Sequence, residues 1–82
     1  MKVDFKESFA KDLRKIKDRK LLASVQGIIE QTETAESLRE IKKLKGYKIY
    51  YRIKVGNYRI GIKFENDLLT FVRFLSRKDI SL

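Results

Sequence analysis

The feature that most constrains the fold of this chain is the run of residues 47–65, in which apolar and polar side chains alternate. The run divides into YKIYYRIKV and YRIGIKFE, and only the dipeptide Gly-Asn separates the two parts. Because successive side chains of a strand point to opposite faces, each part is predicted to be a strand with one apolar face. Glycine followed by asparagine suits the backbone angles of a two-residue turn. We therefore predict a β-hairpin in which Val55 lies opposite Tyr58.

The polar face of this predicted hairpin is cationic. Counting back from the turn places Lys54 opposite Arg59 and Arg52 opposite Gly61. The side chains predicted on this face are Lys48, Tyr50, Arg52, Lys54 and Arg59. The opposite, apolar face is predicted to begin at Tyr47. Like charges that face each other across a ladder destabilise it, so an anionic partner would relieve a local cost on the cationic face.

A third strand, LLTFVRFLSR, follows the turn residues END. Two-residue and three-residue loops would send Arg73 to opposite faces of the sheet. We predict the three-residue loop, because it keeps Arg73 out of the core, where an unpaired charge is costly. Phe64 then lies opposite Leu68. The predicted core-facing residues are Leu68, Thr70, Val72 and Phe74, and Arg73 and Arg77 join the cationic face.

The N-terminal half predicts a strand and two helices. MKVDF alternates as a short strand does, and apolar residues recur at helical spacing in residues 9–16 and 21–29. Ser37 and Glu40 have the spacing of a capping box, which predicts a short third helical turn. No proline or low-complexity stretch marks a linker. We therefore predict one domain, residues 1–82, with an α+β fold in which an N-terminal strand and a helical hairpin pack on a small antiparallel sheet.

Composition limits the chemistry that this chain can perform. The chain has no cysteine and no histidine, so disulfides, thiolate metal sites and an imidazole base are excluded. The net charge is +9, and residues 39–82 carry +8 of it. Such a field attracts phosphate backbones or acidic proteins. We predict no metal and no cofactor. The start of the sequence does not resemble a signal peptide and no run is apolar enough to span a bilayer, which predicts a cytoplasmic protein without membrane association.

A cluster of cationic side chains suits phosphodiester cleavage in RNA. That reaction needs a base for the 2′-hydroxyl proton, positive charge beside the phosphorus and an acid for the departing 5′ oxygen. Guanidinium and ammonium groups supply the positive charge. A lysine among arginines is a candidate base, because like charges disfavour its protonated form. Carboxylates are sparse in this half of the chain, which argues against a two-metal nuclease. A sheet face whose long side chains are only solvated would show the same pattern.

Residues 44–79, LKGYKIYYRIKVGNYRIGIKFENDLLTFVRFLSRKD, resemble the RelE/ParE superfamily of type II toxins, and more closely its RelE branch. Three features carry the resemblance together: LKG before the hairpin, RIKVGNYRI across its turn, and RFLSRKDI at the end of the third strand. The resemblance implies a RelE-like, microbial RNase-type fold. It also implies a cognate antitoxin, RelB-like or of another type, that wraps the basic sheet face.

The resemblance also implies roles for individual residues. By position, Lys54 matches the general base, Arg59 the arginine that stabilises the transition state, and Arg77 the arginine assigned to the leaving group. Arg52 matches a phosphate-binding position, Arg73 matches an arginine frequent in this subgroup, and Tyr50 and Lys48 are predicted to contact RNA beside them. Two positions depart from the family pattern. Ser76 stands where many relatives have histidine, and Ser81 stands where they have a tyrosine that stacks on the scissile nucleotide.

The resemblance thus implies a ribosome-dependent mRNA endoribonuclease that inhibits translation without a metal. Its expected partners are the antitoxin, the ribosome and mRNA, with operator DNA contacted only through the antitoxin complex. Two alternatives stay open. One is a ParE-like inhibitor of DNA gyrase, which shares the fold. The other is a degenerate toxin that retains only antitoxin binding. The two tail serines are the observation that motivates the gyrase alternative.

Overall fold

The computed structural model describes residues 1–80, with the side chains of residues 1–78. Five strands form one sheet: β1 (Lys2–Phe5), β2 (Leu44–Tyr47), β3 (Tyr50–Val55), β4 (Tyr58–Glu65) and β5 (Leu68–Ser76). The helices are α1 (Glu7–Arg14), α2 (Arg19–Thr34) and the four-residue α3 (Arg77–Ile80), with a 3-10 turn at Leu38–Glu40. Among residues 1–80, no helix has both the length and the apolar composition needed to cross a membrane.

The sheet has the strand order β1-β5-β4-β3-β2. Strands β2 to β5 form an antiparallel meander, and β1 adds to β5 in parallel. A parallel neighbour needs a long crossover connection, and here α1, α2 and the following strands supply it. The predicted α+β architecture, with an N-terminal strand and two helices on the sheet, is therefore confirmed, and the parallel pairing of β1 makes the sheet mixed.

The core lies between the two long helices and one face of the sheet. Phe9 of α1 and Val25 of α2 are fully buried, and so are Ile53, Ile60 and Phe71 of the three central strands. The ring centroids of Phe9 and Phe71 are 5.3 Å apart. Each such side chain contributes about 1.5–3 kcal/mol when it is removed from water, so this layer supplies most of the stability that a short chain can gain.

The short helical turn predicted between the helices and the sheet is present at Leu38–Glu40. The Glu40 carboxylate accepts a hydrogen bond from the backbone N–H of Glu36 at 3.0 Å, one residue before the N-cap Ser37, so this bond is not the one that a capping box requires. The Ser37 side chain makes no capping hydrogen bond. The turn brings Ile41 into the core, where it is 4% exposed, immediately before the chain enters β2.

The predicted register between β4 and β5 is wrong in its first half. The loop has two residues, Asn66 and Asp67, both with positive φ, which these residue types tolerate. Phe64 therefore lies opposite Leu69, and Leu69 and Phe71 face the core in place of the predicted Leu68, Thr70 and Val72.

A β-bulge then restores the predicted register in the second half of β5. Ile62 pairs with Phe71 and Gly61 pairs with Arg73, so Val72 is an extra residue without a cross-strand partner. One extra residue reverses which face each later side chain takes. Phe74 consequently lies in the core and Arg73 on the opposite face, both as predicted.

Two side chains of α1 form hydrogen bonds with the backbone of β5 where β1 has ended. The last ladder bond there is from the Lys6 N–H to the Phe71 carbonyl, at 2.9 Å. The Ser8 hydroxyl then donates to the Val72 carbonyl at 2.6 Å, and the Asp12 carboxylate accepts from the Phe74 N–H at 2.8 Å. The helix therefore replaces the missing strand at the bulge and fixes the C-terminal half of β5.

Strand β2 was not predicted, and it corrects the position of Tyr47. A two-residue turn at Lys48 and Ile49 separates β2 from β3 and brings Tyr47 opposite Tyr50. Tyr47 is 76% exposed and lies on the polar face, not on the apolar face. Lys48 adopts a φ of 58° in this turn, a conformation that favours glycine, so the sequence offers no turn signal there.

The glycine of the LKG motif has a steric role. Gly46 lies opposite Tyr51 in the ladder. A Cβ atom on Gly46 would lie 2.6 Å from the Tyr51 Cα and 2.5 Å from its ring. Only glycine allows this close approach of β2 to β3, so Gly46 positions the short outer hairpin.

Candidate functional site

The sheet face opposite the helices carries an open groove with a volume of about 510 Å³. We call this the basic groove, and its lining residues are Lys43, Lys45, Arg52, Lys54, Gly56 and Arg59. Five of these six residues are cationic, and among the side chains that the structure describes no carboxylate lines the groove. The groove is thus an anion-attracting surface built on three neighbouring strands and the loop before them.

The ladder sets the spacing of the groove side chains. Lys54 lies opposite Arg59, as predicted, next to the turn that joins β3 and β4. Arg52 lies between Lys45 of β2 and Gly61 of β4. Because its cross-strand partner on β4, Gly61, has no side chain, Arg52 has no neighbouring side chain directly opposite it on that strand. Strands hold side chains in position more precisely than loops do. Three of the five cations come from the paired strands β3 and β4.

Within residues 1–78, no carboxylate forms an ion pair with a cation of the groove. The ion pairs among the described side chains join Arg14 to Glu7, Lys63 to Glu65 and Arg73 to Asp12. None of these pairs includes a residue of the basic groove. Lysine and arginine placed side by side without carboxylates cost stability, and that cost is removed when an anion binds.

Arg77 lies at the same end of the sheet as Lys54 and Arg59. Its backbone N–H donates to the carbonyl of Asn57 at 2.7 Å, which attaches the first residue of α3 to the β3–β4 turn. Its side chain is exposed. The structure therefore brings the backbone of Arg77 next to the residues predicted to act with it, although Arg77 is not among the residues that line the groove.

Arg73 is on the predicted face, opposite Gly61, but its guanidinium is engaged with α1. Its Nε donates to the Asp12 carboxylate at 2.8 Å and its Nη2 donates to the other carboxylate oxygen at 3.2 Å. The side chain of Asp12 is 7% exposed, and that of Arg73 is 48% exposed. Arg73 thus holds the bulged end of β5 to the helix, and its predicted contact with RNA stays a prediction.

Asp12 is the one residue near the site with a clear shift in acidity among the described side chains. Burial raises the pKa of this carboxyl, but the hydrogen bonds from Arg73 and Phe74 and the charges of Arg73 and Lys15 lower it by more. The net pKa of Asp12 is below its ordinary value. The carboxyl is therefore held as the carboxylate that both donors require.

Tyr50 and Lys48 lie at the far end of β3 from Lys54. Tyr50 is 62% exposed and stands opposite Tyr47. The Lys48 ammonium lies 5.5 Å from the centre of the Tyr47 ring. We call this surface the aromatic patch, and its lining residues are Lys45, Gly46, Tyr47, Tyr50, Tyr51 and Arg52. It shares Lys45 and Arg52 with the basic groove, so the two surfaces are continuous.

Sequence reasoning missed Lys43, Lys45 and Tyr47 as members of this face. The basic run KKLKG precedes the predicted hairpin, but it was not assigned to a strand. An alternation of Lys45 and Tyr47 around Gly46 was the available signal. Lysine is not a typical turn residue, so the turn at Lys48 was not recognised and one strand was expected to continue through that position.

The two tail departures differ in what the structure describes. Ser76 is the last residue of β5, lies opposite Tyr58 and is half-buried. Ser81 lies outside the described residues. Among the residues that are described, no three acidic side chains converge in a manner that would hold a metal ion.

Comparisons with known proteins show the family to which the chain belongs. Residues 3–81 match the family described as the ParE toxin of the type II toxin-antitoxin system ParDE. The chain is 45% identical to Toxin RelE3 of Methanocaldococcus jannaschii, over 98% of this chain and 94% of that protein.

Two solved structures share the fold. The crystal structure of the RelB–RelE antitoxin–toxin complex from Methanococcus jannaschii has a TM-score of 0.79 at 40% identity, covering 95% of this chain and 94% of that one. The toxin–antitoxin complex RelBE2 from Mycobacterium tuberculosis has a TM-score of 0.71 at 21% identity, covering 93% of this chain and 96% of that one. The second likeness shows the fold alone.

Fold, groove and comparisons together define a small toxin of a type II toxin–antitoxin system. More particularly, the chain belongs to the RelE/ParE superfamily and lies closer to its RelE branch, because the relatives at 45% and 40% identity carry RelE names.

Proposed function

We propose that this toxin is an mRNA endoribonuclease that acts on the ribosome and inhibits translation. The observation that carries the proposal is the basic groove, in which five cations stand together without a carboxylate among the described side chains. A phosphodiester that gains negative charge during cleavage is the ligand that such a surface stabilises most. The RelE names of the most similar relatives support the same activity.

The proposed chemistry uses general base catalysis and electrostatic stabilisation. The unprotonated amine of Lys54 removes the proton of the ribose 2′-hydroxyl, and the 2′ oxygen forms a bond to phosphorus. Arg59, directly opposite Lys54 in the ladder, faces the charge that develops on the phosphoryl oxygens. Arg52, two residues before Lys54 on the same strand face, binds the phosphate.

Departure of the leaving group completes the proposed reaction. The bond from phosphorus to the 5′ oxygen breaks, and the products are a 2′,3′-cyclic phosphate and a 5′-hydroxyl end. Arg77 is the residue proposed to donate a proton to the leaving 5′ oxygen, since its backbone N–H donates to the Asn57 carbonyl at 2.7 Å and so fixes it beside the β3–β4 turn. Proton exchange with water then returns Lys54 and Arg77 to their starting states. No step of this scheme requires a metal ion or a cofactor.

The proposed partners follow from the same charge distribution. An antitoxin segment with acidic and apolar residues would cover the groove and relieve the repulsion between Lys54 and Arg59. The relative from Methanococcus jannaschii is seen in complex with RelB. Operator DNA would be bound through the antitoxin. Binding of the antitoxin is expected to protect Arg52 and Arg77 from arginine-modifying reagents, and full reactivity of both in a stable complex would contradict this placement.

Induction in cells tests the activity. Wild-type toxin is expected to stop protein synthesis rapidly and to leave cleaved transcripts, whereas Lys54→Ala and Arg59→Ala should be harmless. Lys63→Ala is the matched control, because Lys63 is a lysine on the same sheet face but pairs with Glu65 at 3.3 Å and lies outside the groove. Toxicity retained by a folded Lys54→Ala/Arg59→Ala double variant would refute the assignment of the site.

A ParE-like action on DNA gyrase is the second candidate, because the matching family model is that of the ParE toxin. The same induction separates the two activities. A gyrase inhibitor would cause the SOS response and filamentation while transcripts stay intact. A groove with Lys54 between Arg52 and Arg59 favours the ribonuclease, since a gyrase inhibitor has no need of a base among cations.

A further inference from the structure

The aromatic patch exposes two tyrosine rings that the core does not use. Tyr47 is 76% exposed and Tyr50 is 62% exposed, whereas Tyr51 and Tyr58 are half-buried against the core. Exposed rings next to each other give little to the stability of a small domain. An adjacent pair of them on a cationic face is therefore available for a flat ligand.

The backbone holds the two tyrosines at neighbouring positions of the hairpin. Tyr47 and Tyr50 close the two-residue turn between β2 and β3, so they face each other directly across the ladder. Gly46 allows the two strands to approach closely, and the Phe64 N–H donates to the Ile49 carbonyl at 2.7 Å to tie the turn to β4. A ring pair at a rigid hairpin end loses little entropy when a ligand stacks on it.

The surroundings of the patch favour an anionic ligand with aromatic bases. Lys45 and Arg52 line both the patch and the basic groove. The Lys48 ammonium lies over the Tyr47 ring, at 5.5 Å from its centre. Aromatic rings that alternate with cations along a groove are the arrangement that binds single-stranded nucleic acids, because bases stack on the rings while the cations bind phosphates.

The distance to the proposed catalytic residues indicates where the ligand would stack. Tyr50 and Lys54 lie on the same face of β3, four residues apart, which corresponds to about 13 Å at roughly 3.3 Å per residue. A stacked nucleic acid strand rises about 3.4 Å per nucleotide, so this span is at most about four nucleotides. A base near the scissile phosphate can therefore reach the rings.

We propose that Tyr47 and Tyr50 form a stacking platform for an unpaired base of the RNA substrate, within a few nucleotides of the cleaved bond. This inference rests on the proposed ribonuclease function and adds a substrate-positioning site to it. Binding to this patch depends on a ring face and not on the tyrosine hydroxyls.

Fluorescence of a base analogue tests the platform. The parent for binding is Lys54→Ala, so that the RNA stays intact. The probe is single-stranded RNA with one 2-aminopurine, placed in turn at each position around the cleavage site, both free and bound to ribosomes. Stacking quenches 2-aminopurine, so one position should be quenched. Tyr47→Ala and Tyr50→Ala should remove that quenching and weaken binding by about 5- to 150-fold each.

Matched substitutions isolate the ring. Tyr47→Phe and Tyr50→Phe keep the ring face and should bind and quench like the parent, whereas Tyr47→Leu and Tyr50→Leu keep apolar bulk and should not quench. Thermal melting confirms that the variants are folded. Quenching that survives the alanine variants, or that is absent in the parent, would overturn the platform. Alanine variants that lose antitoxin binding but keep RNA binding would also overturn it.

The outcome for the platform is separable from the outcome for the proposed function. Cleavage by the wild type that is equally fast in the alanine variants would refute the platform and support the ribonuclease. Absence of cleavage in the wild type, together with quenching that depends on both rings, would refute the ribonuclease and support an RNA-binding role for the patch.

Discussion

Replacement of Asp12 by alanine should destabilise this domain more than any other exchange of a single acidic residue among residues 1–78. The Asp12 carboxylate accepts three hydrogen bonds, two from Arg73 and one from the Phe74 N–H. Phe74 is 3% exposed, so its N–H cannot turn to water when the acceptor is removed. The effect therefore reaches the bulge that sets the register of β5.

The magnitude follows from these three bonds. A buried N–H left without an acceptor costs about 1–3 kcal/mol. Half of the Arg73 side chain is exposed, so loss of that ion pair adds only about 0–1 kcal/mol after solvent screening. The sum is a loss of about 1–4 kcal/mol in the free energy of unfolding, which is a large part of what a domain of this size has.

Urea unfolding measures the loss. The midpoint should fall while the slope stays unchanged, because the exposed surface of the unfolded state is the same. Asp4→Ala is the matched control, since the Asp4 carboxylate also accepts one backbone N–H, at 2.8 Å, but in an exposed position. It should cost less than about 1 kcal/mol. An Asp12→Ala variant that loses no more than Asp4→Ala would refute the role assigned to the buried carboxylate.

Three further predictions rest on other features. The folded-state pKa of Asp12 is lowered, so its contribution to stability is present above the ordinary pKa of about 3.9 and is lost as the pH falls through the folded-state pKa. Urea midpoints measured in acid would detect this loss. Asp12→Asn should abolish the pH dependence. Gly46→Ala should lower the melting temperature, because its Cβ would clash with Tyr51. Gly27→Ala should raise stability by about 0.5–1 kcal/mol, because this exposed helix position has no atom within 4 Å of an added Cβ. The opposite order of melting temperatures in calorimetry would contradict the close pairing of β2 with β3. RNA or ribosome binding should weaken steeply with salt, with a log–log slope of several units for a contact made by several cations, and a flat response would argue against phosphate recognition.

The elements that could be predicted from the sequence are those with local signals. The register of the hairpin of β3 and β4 was predicted correctly, because alternation and a Gly-Asn turn specify the same pairing, although β3 begins at Tyr50 and not at the predicted Tyr47. Both long helices followed from their apolar spacing. The three groove residues Arg52, Lys54 and Arg59 were predicted for the same reason, since their positions depend only on that hairpin.

The remainder depends on contacts between distant residues or on backbone angles that the sequence does not reveal. The bulge at Val72 is held by α1 side chains of Ser8 and Asp12, more than 60 positions earlier in the chain. The β2–β3 turn uses Lys48 at positive φ, where glycine or asparagine would be expected. Because that turn was not recognised, Lys45 and Tyr47 were missing from the predicted face.

The cations of the open sheet face are of two kinds. One kind is paired with a carboxylate and stabilises the fold, and the other is available to bind an anion. Arg73 has a buried carboxylate partner, Asp12, and holds β5 to α1, so its charge stabilises the fold. Lys54 and Arg59 face each other without an acidic partner among the described side chains, so an external anion would relieve their repulsion. Under the proposed function, nucleic acid and an acidic antitoxin segment would each supply that anion. Competition between them for the basic groove would then follow from its charge arrangement.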